Sequence, residues 1–271
     1  MYTNIRFLFL ISVLILSGMG FWAAPVLGGD QTAVLIKEVA AYFPDQKGNE
    51  WVYRGTMLEG GMVQIAEGRF TNVSKVIGTE SVDGVVVTVF HDTNPGDQGP
   101  SDSYYRRDVA GIRYYGSKPG TTLERQLVPY QIVRFPLEIP SSFEQLNRRG
   151  LDLGMDLDRD GETEKVDVLA VVTVQGRESV TVPAGTYSEA IKLQAHMTMD
   201  VHLSEGGSTI QGTDVMTAWF AKGVGLLKYV ERQTIPSPRG QNERMVEVIE
   251  ELEKFTPSSE LALLSRGKSS P

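Results

Sequence analysis

KLQAHMTMDVHL, residues 192–203, decides the fold class of this chain. Hydrophilic and apolar side chains alternate along the whole stretch, which is the period of a β-strand with one face toward water and the other toward a core. The hydrophilic face carries His196, Asp200 and His202, so a metal site on this row stays open beside the simpler reading of a solvated strand face. The apolar face consists of Leu193, Ala195, Met197, Met199, Val201 and Leu203.

From Glu50 onward, similar short segments alternate with glycine, proline and Asp-Gly turn signals. This succession predicts an all-β protein, built as a single curved antiparallel sheet (a half-barrel) or as a β-sandwich, with at most one or two short helices. Residues 32–43 fit a short helix that ends before Pro44. Residues 245–255 fit both periods, and we expect a strand because the preceding segments need a partner.

A short internal echo predicts two related halves of one sheet. VIGTESV at residues 76–82 recurs as VQGRESV at residues 174–180, and each copy is followed by a strand-forming run and then by aromatic residues typical of a hairpin. Repeated sequence of this kind is how duplicated structural units reveal themselves.

The loop DLDRDGETEKVD, residues 156–167, has the oxygen spacing of a twelve-residue calcium loop. Such loops place side-chain oxygens at positions 1, 3 and 5, a glycine at 6 and a closing carboxylate at 12. Asp167 is shorter than the usual closing glutamate, so we expect an affinity of roughly 10⁻⁴ to 10⁻³ M, as in extracellular modules. The candidate calcium ligands are Asp156, Asp158, Asp160, Glu162, Glu164 and Asp167.

The flanks of this loop argue against an EF-hand. Residues 143–150 hold at most a short helical turn, and residues 165–175 are rich in β-branched side chains and predict a strand. The loop therefore resembles the calcium turns that join strands in secreted proteins, where the ion stiffens a fold. The alternative is an acidic hairpin turn around Asp160-Gly161 without metal.

The first residues predict export. Arg6 is followed by an apolar run, which is the pattern of a secretory signal over residues 1–28. Left uncleaved, residues 7–27 are long enough to anchor the chain in a membrane. We expect an extracytoplasmic protein, periplasmic or secreted, with one antiparallel β domain over residues 29–255 and a disordered tail over residues 256–271.

Composition excludes several classes. The chain has no cysteine, so neither disulfides nor a lipidated cysteine support it. Its net charge of -8 disfavours nucleic acid as a partner. The usual hydrolase and nucleotide-binding motifs are missing, and there are only three histidines, so we predict a protein that is not an enzyme. Carboxylates alone leave an extracytoplasmic hydrolase open.

Three stretches resemble a family of exported bacterial all-β proteins with no assigned activity. They are YFP at residues 42–44 with GNEWVY at 48–53, TVPAGTY at 181–187, and WFAKGVGL at 219–226. The family is similar in architecture to the half-barrels of periplasmic lipoprotein carriers. This resemblance implies a curved sheet that shelters an apolar cavity, an analogy of fold that does not establish function.

We therefore expect an exported, non-enzymatic β-sheet protein with a structural calcium ion. Its expected activity is the binding of an apolar ligand such as a lipid, in a pocket near Met197, Met199 and Trp219, or of another cell-envelope component. The alternative is an assembly module that binds a protein partner. A cavity of several hundred cubic ångströms favours the first reading, a flat apolar patch the second, and convergent buried carboxylates a hydrolase.

Overall fold

A computed structural model of the chain describes residues 34–61, 64–235 and 244–259. The predicted export signal and most of the predicted tail lie outside the described residues. Within the described part of the chain, no helix is long and apolar enough to cross a membrane. The elements are β1 Val34–Ile36, α1 Val39–Tyr42, β2 Glu50–Gly61, β3 Gln64–Val82, β4 Val85–Asp92, a 3₁₀ turn Pro95–Asp97, β5 Ser101–Asp108, β6 Gly111–Lys118, α2 Thr122–Leu127, β7 Tyr130–Arg134, β8 Leu137–Ile139, β9 Ser141–Asp152, β10 Lys165–Val182, β11 Gly185–His202, β12 Thr209–Ala221, β13 Gly225–Ile235 and β14 Arg244–Thr256.

Twelve of the strands form one antiparallel sheet in the order β7-β6-β5-β4-β3-β2-β14-β13-β12-β11-β10-β9. The two outer strands, β7 and β9, come close to each other, and Gln145 Nε2 on β9 donates to the Gln131 carbonyl on β7 at 3.0 Å. The sheet is thus a half-barrel that is nearly closed. The expected curved sheet is confirmed, and the sandwich is not formed.

Helix α2 covers the gap between the two outer strands. Thr121 and Glu124 form a capping box at its start, with the Glu124 N–H donating to Thr121 Oγ1 at 3.0 Å. Leu123 and Leu127 are both 1% exposed and pack in a core cluster with Leu146 of β9. Burial of these leucines fills one end of the half-barrel.

The strands predicted at residues 192–203 and 245–255 are both confirmed. Along β11 the apolar row is buried, and β14 is a strand that pairs with both β13 and β2. Residues 143–150, where at most a helical turn was expected, form part of β9, because Phe143 and Leu146 bury their side chains in the sheet core. The predicted helix at residues 32–43 is limited to the single turn α1.

The two echo segments occupy matching places. Strand β3 has a bulge between Val76 and Gly78 before its hairpin to β4, and β10 has one between Val174 and Gly176 before its hairpin to β11. In both copies the glycine of the shared sequence stands where the ladder register shifts, which bends a strand and increases its twist. The shared residues therefore coincide with shared backbone geometry.

Candidate functional site

The predicted calcium loop joins β9 to β10 at one end of the sheet. Of its six candidate ligands, Asp156, Asp158 and Glu164 bring carboxylate oxygens within 4.8 Å of one another. Glu164 is fully buried, whereas Asp156 is exposed. This geometry offers three of the oxygens that a calcium ion would need.

The same three carboxylates also accept hydrogen bonds from their own loop. Asp156 Oδ2 accepts from the Gly161 N–H at 3.0 Å, and Glu164 Oε1 accepts from the Leu157 N–H at 2.7 Å. Glu164 Oε2 accepts from Ser204 Oγ at 2.9 Å. Asp158 Oδ2 accepts from the backbone N–H of Glu205, the residue after Ser204, at 2.9 Å. The cluster therefore ties the β9–β10 loop to the turn after β11.

The other three candidates are not drawn into the cluster. Asp160 and Glu162 are exposed on the turn, and Asp160 Oδ1 accepts from the Glu162 N–H at 2.8 Å. Asp167 Oδ1 accepts from the Gly150 N–H at 2.8 Å, which holds the pKa of this carboxyl below its usual range. Asp167 Oδ2 lies 3.4 Å from His202 Nε2. Calcium binding by this loop stays a prediction, because only three of the six candidate side chains come together.

The alternative metal row on β11 has other partners. His202 Nδ1 is 3.1 Å from Thr209 Oγ1, and Asp200 Oδ1 accepts from Gln211 Nε2 at 2.8 Å. Among the described residues, the carboxylate cluster of the loop is the only group of three or more candidate ligands that comes together. The solvated strand face is therefore the better description of this row.

A cavity of about 290 Å³ opens on the concave side of the half-barrel. This volume lies near the lower end of the roughly 300 to 1,000 Å³ that is typical of small-molecule sites. Most of its wall is apolar, formed by side chains from strands at both ends of the sheet. They include Phe43, Trp51, Phe90, Tyr105, Ile112, Leu193, Met216, Ala218, Phe220, Leu226, Val246 and Val248.

Aromatic rings form a continuous part of this wall. Trp51 stacks on Phe90 with ring centroids 5.9 Å apart, and Phe90 meets the edge of Tyr105 at 5.3 Å. Tyr105 then contacts Tyr114, which contacts Tyr130 at 5.4 Å. Offset and edge-to-face pairs of this kind hold rings in place and present their faces to an apolar ligand.

Two of the sequence motifs meet at the cavity. Trp51 Nε1 donates to the Val224 carbonyl at 2.7 Å, and the Tyr53 hydroxyl donates to the Leu226 carbonyl at 3.1 Å. Gly225 has a φ of 89°, and a Cβ there would lie 3.1 Å from Pro44 Cδ. Because a side chain would be strained and crowded, glycine suits this contact between the YFP, GNEWVY and WFAKGVGL stretches.

The third motif reaches the same end of the sheet. The Ala184 N–H donates to the Leu252 carbonyl at 2.9 Å, and Val182 packs in one buried cluster with Trp51 and Leu227. All the stretches that carry the family resemblance thus converge on one region of the fold.

The pocket expected near Met197, Met199 and Trp219 is elsewhere. Both methionines are buried against the α2 end of the barrel. Trp219 pairs with Lys192 on the outward-facing row, and its Nε1 donates to Glu178 Oε1 at 2.6 Å. None of the three lines the cavity.

Sequence reasoning missed an acidic row inside the half-barrel, which we define as Asp214, Glu231 and Glu250 on the consecutive strands β12, β13 and β14. These side chains are 2%, 7% and 4% exposed. Each shares strand parity with apolar lining residues, such as Met216 beside Asp214 and Val248 beside Glu250. The alternation of side chains along these strands could have indicated that the acidic residues face the interior. The residues were nevertheless read as surface charges, because acidic side chains are ordinarily exposed.

The acidic row is held by neutral donors. Glu250 Oε1 accepts from the Gly96 N–H at 3.0 Å, and Glu231 Oε2 accepts from the Tyr229 hydroxyl at 2.6 Å. Asn72 Nδ2 lies 3.4 Å from Glu250 Oε2 and donates to Asp92 Oδ1 at 3.0 Å. Such bonds keep the row in place without neutralising its charge.

Burial dominates the electrostatics of this row. It raises the pKa of Glu250 to about 7, against the opposing bond from Gly96 and with the help of nearby Asp92. Burial also raises the pKa of Glu231, and it raises that of Asp214 well above its usual range, where the charge of Glu231 adds to the effect. Two carboxyls in contact cannot both ionise readily, which adds to the effect of burial on this pair.

Comparison with known proteins gives a partial family match. Residues 120–231, less than half of the chain, match the model of a family described as DUF3108-like. No curated protein matches the chain. The chain is thus similar to DUF3108-like proteins over the stretch from α2 to β13.

Three solved structures show weak similarity. A candidate exported protein with a YmcC-like fold from Bacteroides fragilis is 12% identical, with a TM-score of 0.34, over 79% of this chain and 98% of that one. A candidate lipoprotein from Parabacteroides distasonis is 14% identical, with a TM-score of 0.30 and the same shares covered. A DUF1329 family protein from Desulfovibrio piger is 9% identical, with a TM-score of 0.21, over 76% and 85%. At these scores the three structures carry no weight for the function of this chain.

Proposed function

We propose that this chain is an extracytoplasmic, non-enzymatic protein that holds an apolar molecule in the concave cavity of its half-barrel. The observation that carries the proposal is the cavity itself, with its aromatic wall of Trp51, Phe90 and Tyr105. A concave, mostly apolar site with a few placed polar groups is the usual form of a small-molecule site.

The wall is organised before a ligand enters. The polar atoms of Trp51 and Tyr53 are bound to backbone carbonyls of β13 and of the turn before it, so that neither needs a polar ligand atom. A wall fixed in this way loses little conformational freedom on binding, which favours affinity. A cavity of this kind favours ligand binding over the assembly module, whose mark would be a large exposed apolar patch.

A second candidate function is a carboxylate-dependent hydrolase, and the acidic row favours it. Glu231 and Glu250 each accept two hydrogen bonds from neutral donors, including Gln233 Nε2 to Glu231 Oε1 at 2.7 Å. An acid–base pair must reach the substrate with both carboxyls, and Asp214, the partner of Glu231, does not line the cavity. Ligand binding is therefore the better-supported function.

The proposal includes calcium as a structural ion on the β9–β10 loop. Asp156, Asp158 and Glu164 would hold it, and carboxylate oxygens are the ligands that calcium prefers. The ion would offset the repulsion among these carboxylates. Its effect would be on stability, because the loop lies at a strand junction.

Native mass spectrometry of freshly purified protein tests the ligand. We expect a bound apolar molecule in the native protein and its loss from Ala218→Phe, because Ala218 lines the cavity and a phenyl group there would occupy it. Val86→Phe is the control, since Val86 is 66% exposed and does not line the cavity. Equal retention of the molecule by both variants would contradict binding in the cavity.

A further inference from the structure

We propose that the molecule held in the cavity is an amphipathic cation, whose protonated amine binds the acidic row while its apolar part lies against the aromatic wall. This inference rests on the proposed function and adds the polarity of the ligand. The balance of acidic and basic side chains in the cavity differs from that of a plain lipid site.

Among the charged side chains of the described lining, acidic ones outnumber basic ones. Glu59, Asp92, Asp97, Glu231 and Glu250 all contribute to it, and the one cationic side chain among the described lining residues is Arg244. That arginine pairs with Glu59. The remaining carboxylates therefore face the cavity without a basic side chain from the described wall, and a fatty acid or another anion would be repelled.

Independent of the charges, unpartnered polar atoms point to a missing ligand group. Ser101 is 4% exposed and lines the cavity, and its Oγ has no hydrogen-bond partner within the described residues. The Tyr130 hydroxyl and Asp214 Oδ1 are also buried and, in the same described ranges, unpartnered, although neither residue lines the cavity itself. Buried polar atoms are normally satisfied, so such exceptions call for a partner that the chain does not supply.

Ser101 lies near the acidic row, because it pairs with Asp92 across β4 and β5, and Asn72 Nδ2 lies within 3.4 Å of both Asp92 Oδ1 and Glu250 Oε2. The charges of Asp214 and Glu231 add to burial in raising the pKa of Tyr130, and those of Glu231 and Glu250 do the same for Tyr229. A primary ammonium group has three N–H donors and one positive charge. It can therefore donate to carboxylate and hydroxyl oxygens together, which neither an alcohol nor a quaternary amine can do.

The test is calorimetric titration with three probes of equal chain length, octylammonium, 1-octanol and octanoate, at pH 7.5. We expect octylammonium to bind about tenfold or more tightly than octanol, because a charge-assisted hydrogen bond contributes at least that factor, and octanoate to bind weakest. In Glu231→Gln and in Glu250→Gln the ratio of ammonium affinity to octanol affinity should shrink.

Glu144→Gln is the matched control, because Glu144 is an exposed carboxylate on β9 that does not line the cavity. Two acidic-row variants are used, so that the test can still be made if one of them does not fold. Binding of octanol as tightly as octylammonium, or an unaltered preference in both folded variants, would overturn the cationic ligand and leave the apolar site standing. Failure of all three probes to bind the native protein would contradict the proposed function itself.

Discussion

Neutralising Glu250 should remove a specific part of the pH dependence of stability. The Glu250 side chain is 4% exposed, and burial raises its pKa from 4.5 to about 7. A carboxyl with a raised pKa in the folded state binds more protons there than in the unfolded chain. Its contribution is therefore fully present below pH 4.5 and is lost as the pH rises to about 7.

The size of this loss follows from the two pKa values. Between pH 5 and pH 8, linkage through a pKa of 4.5 in the unfolded chain and about 7 in the folded one lowers the free energy of unfolding by roughly 2 to 3 kcal/mol. Glu250→Gln resembles the protonated carboxyl at every pH, so this part of the loss should disappear from the variant.

Urea unfolding followed by tryptophan fluorescence at pH 5 and pH 8 measures the effect. We expect the free energy of unfolding of the native protein to fall by roughly 2 to 3 kcal/mol more than that of Glu250→Gln over this interval. Glu144→Gln, on the exposed face of β9, should behave like the native protein. An equal pH dependence in native protein and Glu250→Gln, or a native protein that gains stability as the pH rises, would refute the reasoning.

Three further predictions concern single contacts. Thr121→Ala removes the cap of α2 and should lower the free energy of unfolding by about 1 kcal/mol in a urea titration, and no change would contradict the capping box. Trp51→Phe leaves the Val224 carbonyl without its donor and should cost about 1 to 3 kcal/mol in the same assay, while a cost near zero would show that this bond does not fix the wall. Millimolar calcium should raise the melting temperature of the native protein and of Glu162→Gln, but not of Asp158→Asn, because only Asp158 belongs to the carboxylate cluster. An equal shift in both variants, or none in the native protein, would remove the calcium site.

Period-two patterning was sufficient for the fold class. Along β11 each apolar side chain lies on the buried face, and β14 was assigned correctly although its apolar spacing also fitted a helix. In contrast, α2 was missed because its six residues are too few for a clear helical period, although Thr121 and Glu124 carry the spacing of a capping box.

The cavity was harder to predict, because parity places a side chain on a face but does not say what covers that face. Met197 lies on the concave side, yet α2 packs over its end of the barrel. Trp219 lies on the outward row because it pairs with Lys192. Both outcomes depend on how the sheet closes, and contacts between residues far apart in sequence determine that closure.

The acidic row shows the second limit. Asp214, Glu231 and Glu250 look like ordinary surface charges when strands are read one at a time, since burial of a carboxyl is costly. Only the pairing of β12, β13 and β14 places them in diagonally neighbouring positions within the half-barrel. The calcium loop was the opposite case, because its spacing was legible but only three of its six carboxylates meet.

The most direct test of the central claim is a titration with N-phenyl-1-naphthylamine, an uncharged fluorophore whose emission rises in apolar sites. Trp51 lines the cavity, so a probe bound there should accept energy from tryptophan. We expect saturable binding with transfer in the native protein and in Val86→Phe, and loss of both signals in Ala218→Phe. Undiminished binding to Ala218→Phe, or no saturable binding to the native protein, would contradict a ligand site in the half-barrel.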